Sequence, residues 1–97
     1  MESLQMLTLI ADETLTSALE KEIVELGAKG YTLSKVIGRS PRHVRDNPWE
    51  GENVKIEILV NPGATEVILQ HVKQKYFGRY AMIAYHYPVH VSEVYSS

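Results

Sequence analysis

Val54-Lys55-Ile56-Glu57-Ile58-Leu59-Val60-Asn61-Pro62 decides the fold, because it joins a strand to a helix and both boundaries are written in side-chain chemistry. Val54, Ile56, Ile58 and Val60 fall on one face at period two, which is the pattern of a strand with one buried side. Asn61 then suits a helix cap and Pro62 a first helical residue, since proline lacks only a donor that the first turn leaves unpaired anyway. The helix that follows carries its inner stripe on Ala64, Val67, Ile68, Val72 and Tyr76 and ends at Gly78. From Ala81 to Val91 the period returns to two. Ala81, Ile83, Tyr85, Tyr87 and Val89 share a face, and Pro88 removes one ladder donor and so implies an edge, a bend or a strand end.

Upstream the same grammar repeats. Leu4 to Ala11 is a short apolar run that reads as a first strand. Thr14 is a candidate cap for a helix through Leu26, with Leu15, Ala18, Leu19, Ile23 and Leu26 facing the core, Glu20, Glu22 and Glu25 facing solvent, and Gly27 as the stop. Tyr31 to Ile37 reads as a second strand ending at Gly38. The order is strand, helix, strand, long loop, strand, helix, strand. It predicts an α+β, ferredoxin-like βαββαβ domain spanning 1–97, with one antiparallel sheet and helices on a single face. The other face, assigned to Met82, Ala84, His86 and the second side of the first strand, is too apolar to stay wet, so self-association is expected.

Loop 39–53 separates its charges. Arg39, Arg42 and Arg45 occupy its first half, and Asp46, Glu50 and Glu52 its second. A connection this long inside a compact domain has to repay the entropy of ordering it, about 1 to 2 kcal/mol per residue, and function is the usual reason one persists. Three guanidiniums in seven positions suit planar capture of phosphate or carboxylate. Trp49, between Pro48 and Glu50, is the kind of residue that anchors a protein interface.

Composition narrows the classes. A net charge of −2 offers no long-range attraction to nucleic acid. The first and third strands contain none of the aromatic residues on which RNA-binding sheets stack bases. Acylphosphatase chemistry needs an anion cradle after the first strand, where this chain has Asp12 and Glu13. With no cysteine there is no disulfide, thiolate nucleophile or cysteine zinc site. His86 and His90 share a strand face but stand too far apart to chelate one ion unaided, so no metal site is expected. Without a signal-like leader or a long apolar run, a soluble cytoplasmic protein is expected.

Gly27-Ala28-Lys29-Gly30-Tyr31-Thr32, Gly38, Arg42-His43-Val44-Arg45, Val54 to Ile58 and Lys75-Tyr76-Phe77, in that order, resemble the PII-like signalling proteins, and most of all their SbtB-type and carboxysome-associated branch. The resemblance implies a homotrimer without enzymatic activity. It implies an adenine nucleotide (ADP or AMP, with ATP and cyclic AMP as relatives) in clefts between subunits, with bicarbonate as a possible second ligand. It also implies a loop that signals to a partner such as a membrane bicarbonate transporter or a carboxysome-related protein. Carried over by motif, Thr32, Gly38 and Arg39 border the nucleotide, Arg42 and Arg45 hold its phosphates, and Ala81, Met82 and Ile83 lie near adenine, with Met82 standing where SbtB-type chains have glycine. The loop has no tyrosine to accept uridylylation, and without cysteine no tail-dependent redox gating is expected. The alternative is a CutA-like structural or metal-responsive trimer without nucleotide.

Overall fold

The computed structural model describes residues 4–39 and 50–93. Strand β1 (Leu4–Asp12) leads through a 3-10 turn (Glu13–Leu15) into helix α1 (Thr16–Glu25), then β2 (Thr32–Gly38), β3 (Gly51–Val60), α2 (Pro62–Lys75) and β4 (Met82–Val89). The four strands form one sheet in the order β2-β3-β1-β4, antiparallel at every pairing. This is the expected βαββαβ, ferredoxin-like arrangement. Strand β3 begins earlier than its alternation suggested, because Gly51, Glu52 and Asn53 already pair with Gly38, Ile37 and Val36.

The register sets which residues meet the helices. Leu7, Leu9 and Ala11 of β1 lie opposite Ile58, Ile56 and Val54 of β3, and all are buried against Leu19 and Ile23 of α1 and Ile68 and Val72 of α2. Each such side chain contributes about 1.5 to 3 kcal/mol through burial. On the other side of β1, Ala11 pairs with Met82 and Leu9 with Ala84. Met82 and Ala84 therefore belong to the helix-facing core, which corrects the face expected for them. The open face carries Ile83, Tyr85 and Tyr87 beside Met6, Thr8 and Ile10, then Lys55, Glu57 and Leu59. Lys55 and Glu57 pair at 3.7 Å and the rings of Tyr85 and Tyr87 stack at 6.4 Å. Thr8 is buried among them with no hydrogen-bond partner for its hydroxyl. The demand for cover stands, but from different residues.

Local chemistry explains the helix boundaries. Asp12, rather than Thr14, caps the first helical turn: its Oδ1 accepts from the Thr14 amide at 2.9 Å and from the Thr14 hydroxyl at 2.7 Å. Asn61 Oδ1 accepts from the Ala64 amide at 2.8 Å, with Pro62 opening α2 as expected. Gly27, at φ +109°, turns the chain out of α1 while the Ala28 amide reaches back to the Ile23 carbonyl. In α2 the inner stripe passes through Thr65 rather than Val67, which is half exposed. The Thr65 hydroxyl can face inward because it donates to the Asn61 carbonyl at 3.1 Å.

Glu22 overturns another expectation. The buried stripe of α1 runs Leu15, Leu19, Glu22, Ile23, and Ala18 is left exposed. Glu22 tolerates burial because α2 brings it three donors: His71 Nε2 at 2.5 Å on Oε1, and Lys75 Nζ at 2.8 Å and the Tyr76 hydroxyl at 2.6 Å on Oε2. Burial alone would raise its pKa, but the bonds from Lys75, Tyr76 and His71 outweigh it and hold the carboxyl at about 2. Tyr76 is pushed the other way, chiefly by its burial and then by donating to Glu22.

Glu22→Gln will lower stability at neutral pH by about 1.5 to 3 kcal/mol, since the charged acceptor shared by His71, Lys75 and the buried Tyr76 hydroxyl is lost. A folded pKa of about 2 against an ordinary 4.5 means the carboxylate's contribution is complete above 4.5 and is lost as pH falls through 2. Urea titrations of both proteins will show the stability gap constant from pH 7 to 5 and narrowing between pH 4.5 and 2. A gap independent of pH would mean the charge is irrelevant.

Candidate functional site

The residues expected to hold a ligand are distributed along the two free edges of the sheet. On the β2 edge, Gly38 ends the strand opposite Gly51, and Arg39 follows it into solvent. Thr32 starts the same strand opposite Glu57, six residues from Gly38 and so about 20 Å away along an extended chain. On the β4 edge, Ala81 is exposed just ahead of the strand, Met82 is buried opposite Ala11, and Ile83 lies on the open face opposite Ile10. Met82 spends its side chain in the core, so only its backbone is left to meet a ligand. Arg42, Arg45 and Trp49 lie outside the described residues.

Two strands separate those edges, which at about 4.8 Å per spacing puts roughly 14 Å between them. Arg39 and Ala81 do share one end of the sheet, because β1 runs antiparallel to both β3 and β4. The single chain thus presents two partial surfaces, one beside the β2–β3 connection and one at the start of β4. Among the described residues these surfaces are not closed into one pocket.

Sequence reasoning missed two features near the β2 edge. A groove of about 560 Å³ lies between the start of α1 and β2, lined by Glu13, Thr14, Thr16, Leu33, Ser34, Lys35 and Val54. A smaller one of about 260 Å³ continues past Lys35 to Ile37, Glu52 and Asn53. The signal was the alternation in β2, which sends Leu33, Lys35 and Ile37 to one side and leaves Leu33 and Ile37 substantially exposed. No helix among the described residues is long and apolar enough to cross a membrane.

Residues 4–96 match the model of the family described as nitrogen regulatory protein P-II. A PII-like signalling protein from Thermus thermophilus is 38% identical over 91% of this chain and 88% of its own, with a TM-score of 0.76. CPII from Thiomonas intermedia, solved with ADP, AMP and bicarbonate, superposes with a TM-score of 0.79 at 16% identity, over 96% of this chain and 97% of its own. The GlnK–ATP complex of B. subtilis superposes with a TM-score of 0.71 at 19% identity, over 92% of this chain and 84% of its own. At those lower identities the likeness is one of fold. With nearly its whole length matched by the family model and a relative at 38% identity, the chain belongs to the P-II family of nitrogen regulatory proteins.

Proposed function

We propose that this protein is a cytoplasmic, non-enzymatic PII-like regulator that binds an adenine nucleotide between subunits of a homotrimer and reports its occupancy through the connection between β2 and β3. The observation that carries this reading is the split of the candidate residues between opposite edges of one sheet beside an uncovered apolar face. Different edges meeting in a head-to-tail interface give a closed ring when the rotation closes, and each interface then joins one copy's Gly38 and Arg39 to the next copy's Ala81 to Ile83. Arg42 and Arg45 hold phosphate, and Thr32 borders the nucleotide. The adenine nucleotides and bicarbonate bound by CPII, and the ATP bound by GlnK, support this ligand class. Bicarbonate, as a small anion, suits the same arginines. In the SbtB-type or carboxysome-associated reading, the loop with Trp49 meets a bicarbonate transporter or a carboxysome-related protein.

Light scattering at micromolar concentration will give three times the 11.0 kDa chain mass. A monodisperse monomer would leave both half-sites incomplete and end the proposal.

Calorimetric titration with AMP, ADP, ATP and cyclic AMP, each with and without bicarbonate, will identify the ligand. In the Arg42→Ala/Arg45→Ala double variant the preferred nucleotide will bind more weakly by about 1.5 to 3 kcal/mol per lost charge-assisted bond, with the unliganded melting temperature nearly unchanged. Wild-type affinity in that variant would move the phosphate clamp to other residues, and a wild-type protein indifferent to every nucleotide would favour the CutA-like alternative.

A further inference from the structure

Tyr76 is the point where the helix layer meets the approach to β4, and it is committed in three directions at once. Its hydroxyl donates to Glu22 Oε2 at 2.6 Å, across the gap from α2 to α1. Its carbonyl accepts the amides of Arg79 at 3.1 Å and Tyr80 at 3.0 Å, folding the chain back immediately after the helix. Its ring packs against that of Tyr80, centroids 5.8 Å apart. Gly78 completes the turn at φ +90°, a conformation that side chains rarely tolerate, and Phe77 bridges to Tyr80. The next residues are Ala81, Met82 and Ile83.

Strand pairing fixes Met82 against Ala11, but no ladder bond reaches back to residues 77–81. Their path depends on Tyr76, and Tyr76 in turn depends on an acceptor supplied by the other helix. Glu22 is buried and also held by His71 and Lys75, so it offers that acceptor from a fixed place.

We infer that Glu22 and Tyr76 are positioning residues for the nucleotide, setting the backbone of the 77–81 turn and with it Ala81 at the entry to β4. The inference rests on the functional reading above for the ligand and on geometry alone for the turn. Neither residue touches the ligand; each acts through the turn.

Two measurements on the full chain test it. Tyr76→Phe keeps the buried ring and removes only the hydroxyl. Amide exchange at Arg79 and Tyr80 will accelerate about tenfold or more while the β1 and β3 amides stay protected, as expected for local opening. Affinity for the nucleotide selected by the wild-type titration will fall about two- to thirtyfold, the span of couplings carried by packed networks. Glu22→Gln will do the same, and the double variant will be no worse than the poorer single one, because the Tyr76 bond is among the three that Glu22→Gln weakens. Ile56→Val, a core change in β3 remote from the turn, will lower the melting temperature yet leave affinity unaltered, which general destabilisation as the cause would not allow. Unchanged exchange, unchanged affinity in Tyr76→Phe, or equal weakening in Ile56→Val overturns the inference. A wild-type protein that binds no adenine nucleotide overturns the functional reading instead, and the exchange data still decide whether Tyr76 sets the turn.

Discussion

Burial of β1 on both faces is the constraint from which the rest of the molecule follows. Leu7, Leu9 and Ala11 are sealed by the helices, while Thr8 and Ile10 between them are nearly as inaccessible on the other side. A strand buried this way occupies the centre of its sheet, so its two neighbours are settled as β3 and β4, and β2 and β4 become the edges. Side chains alternate strictly, so fixing β1 also fixes the parity of its neighbours, and a slip of one residue would turn every core side chain outward. The uncovered face and the separation of the candidate residues are both consequences of that placement.

The second constraint is electrostatic. A buried carboxylate is costly unless it is paired and hydrogen-bonded, and Glu22 meets that condition because His71, Lys75 and Tyr76 lie along one side of α2. The pairing is directional where the apolar contacts are not. Leucine and isoleucine would let α1 slide or rotate over α2 at small cost, whereas three short bonds to one side chain select a single arrangement of the helices.

How much of this was legible in the sequence depended on whether the signal was local. The alternation from Val54 to Val60, the cap at Asn61 and the stop at Gly27 each lie within a few residues, and each matches the structure. Glu22 was misread because its justification lies 49 to 54 residues away in sequence, at His71, Lys75 and Tyr76. The faces of β4 were misassigned for a related reason. Met82 and Ala84 on one side, and Ile83, Tyr85 and Tyr87 on the other, are all apolar enough for a core, so only pairing with Leu9 and Ala11 breaks the tie. The proposed half-sites, Gly38 with Arg39 and Ala81 to Ile83, rest on resemblance, and only the strand order places them on opposite edges.

That distance bears on regulation. In the proposed assembly a ligand held by two edges binds the ring and not the free chain, so it stabilises the assembly in proportion to RT ln(1 + [L]/Kd), about 2.7 kcal/mol at a hundredfold excess over Kd. The arginines of the loop contribute to the same site, and the entropy of ordering their backbone is set against each charge-assisted bond they form. For each arginine in the proposed site these two terms are of similar size and opposite sign, so each leaves a small net preference for binding. The sheet supplies rigidity at Gly38 and Met82, the ends of the two edge strands that the proposed site brings together.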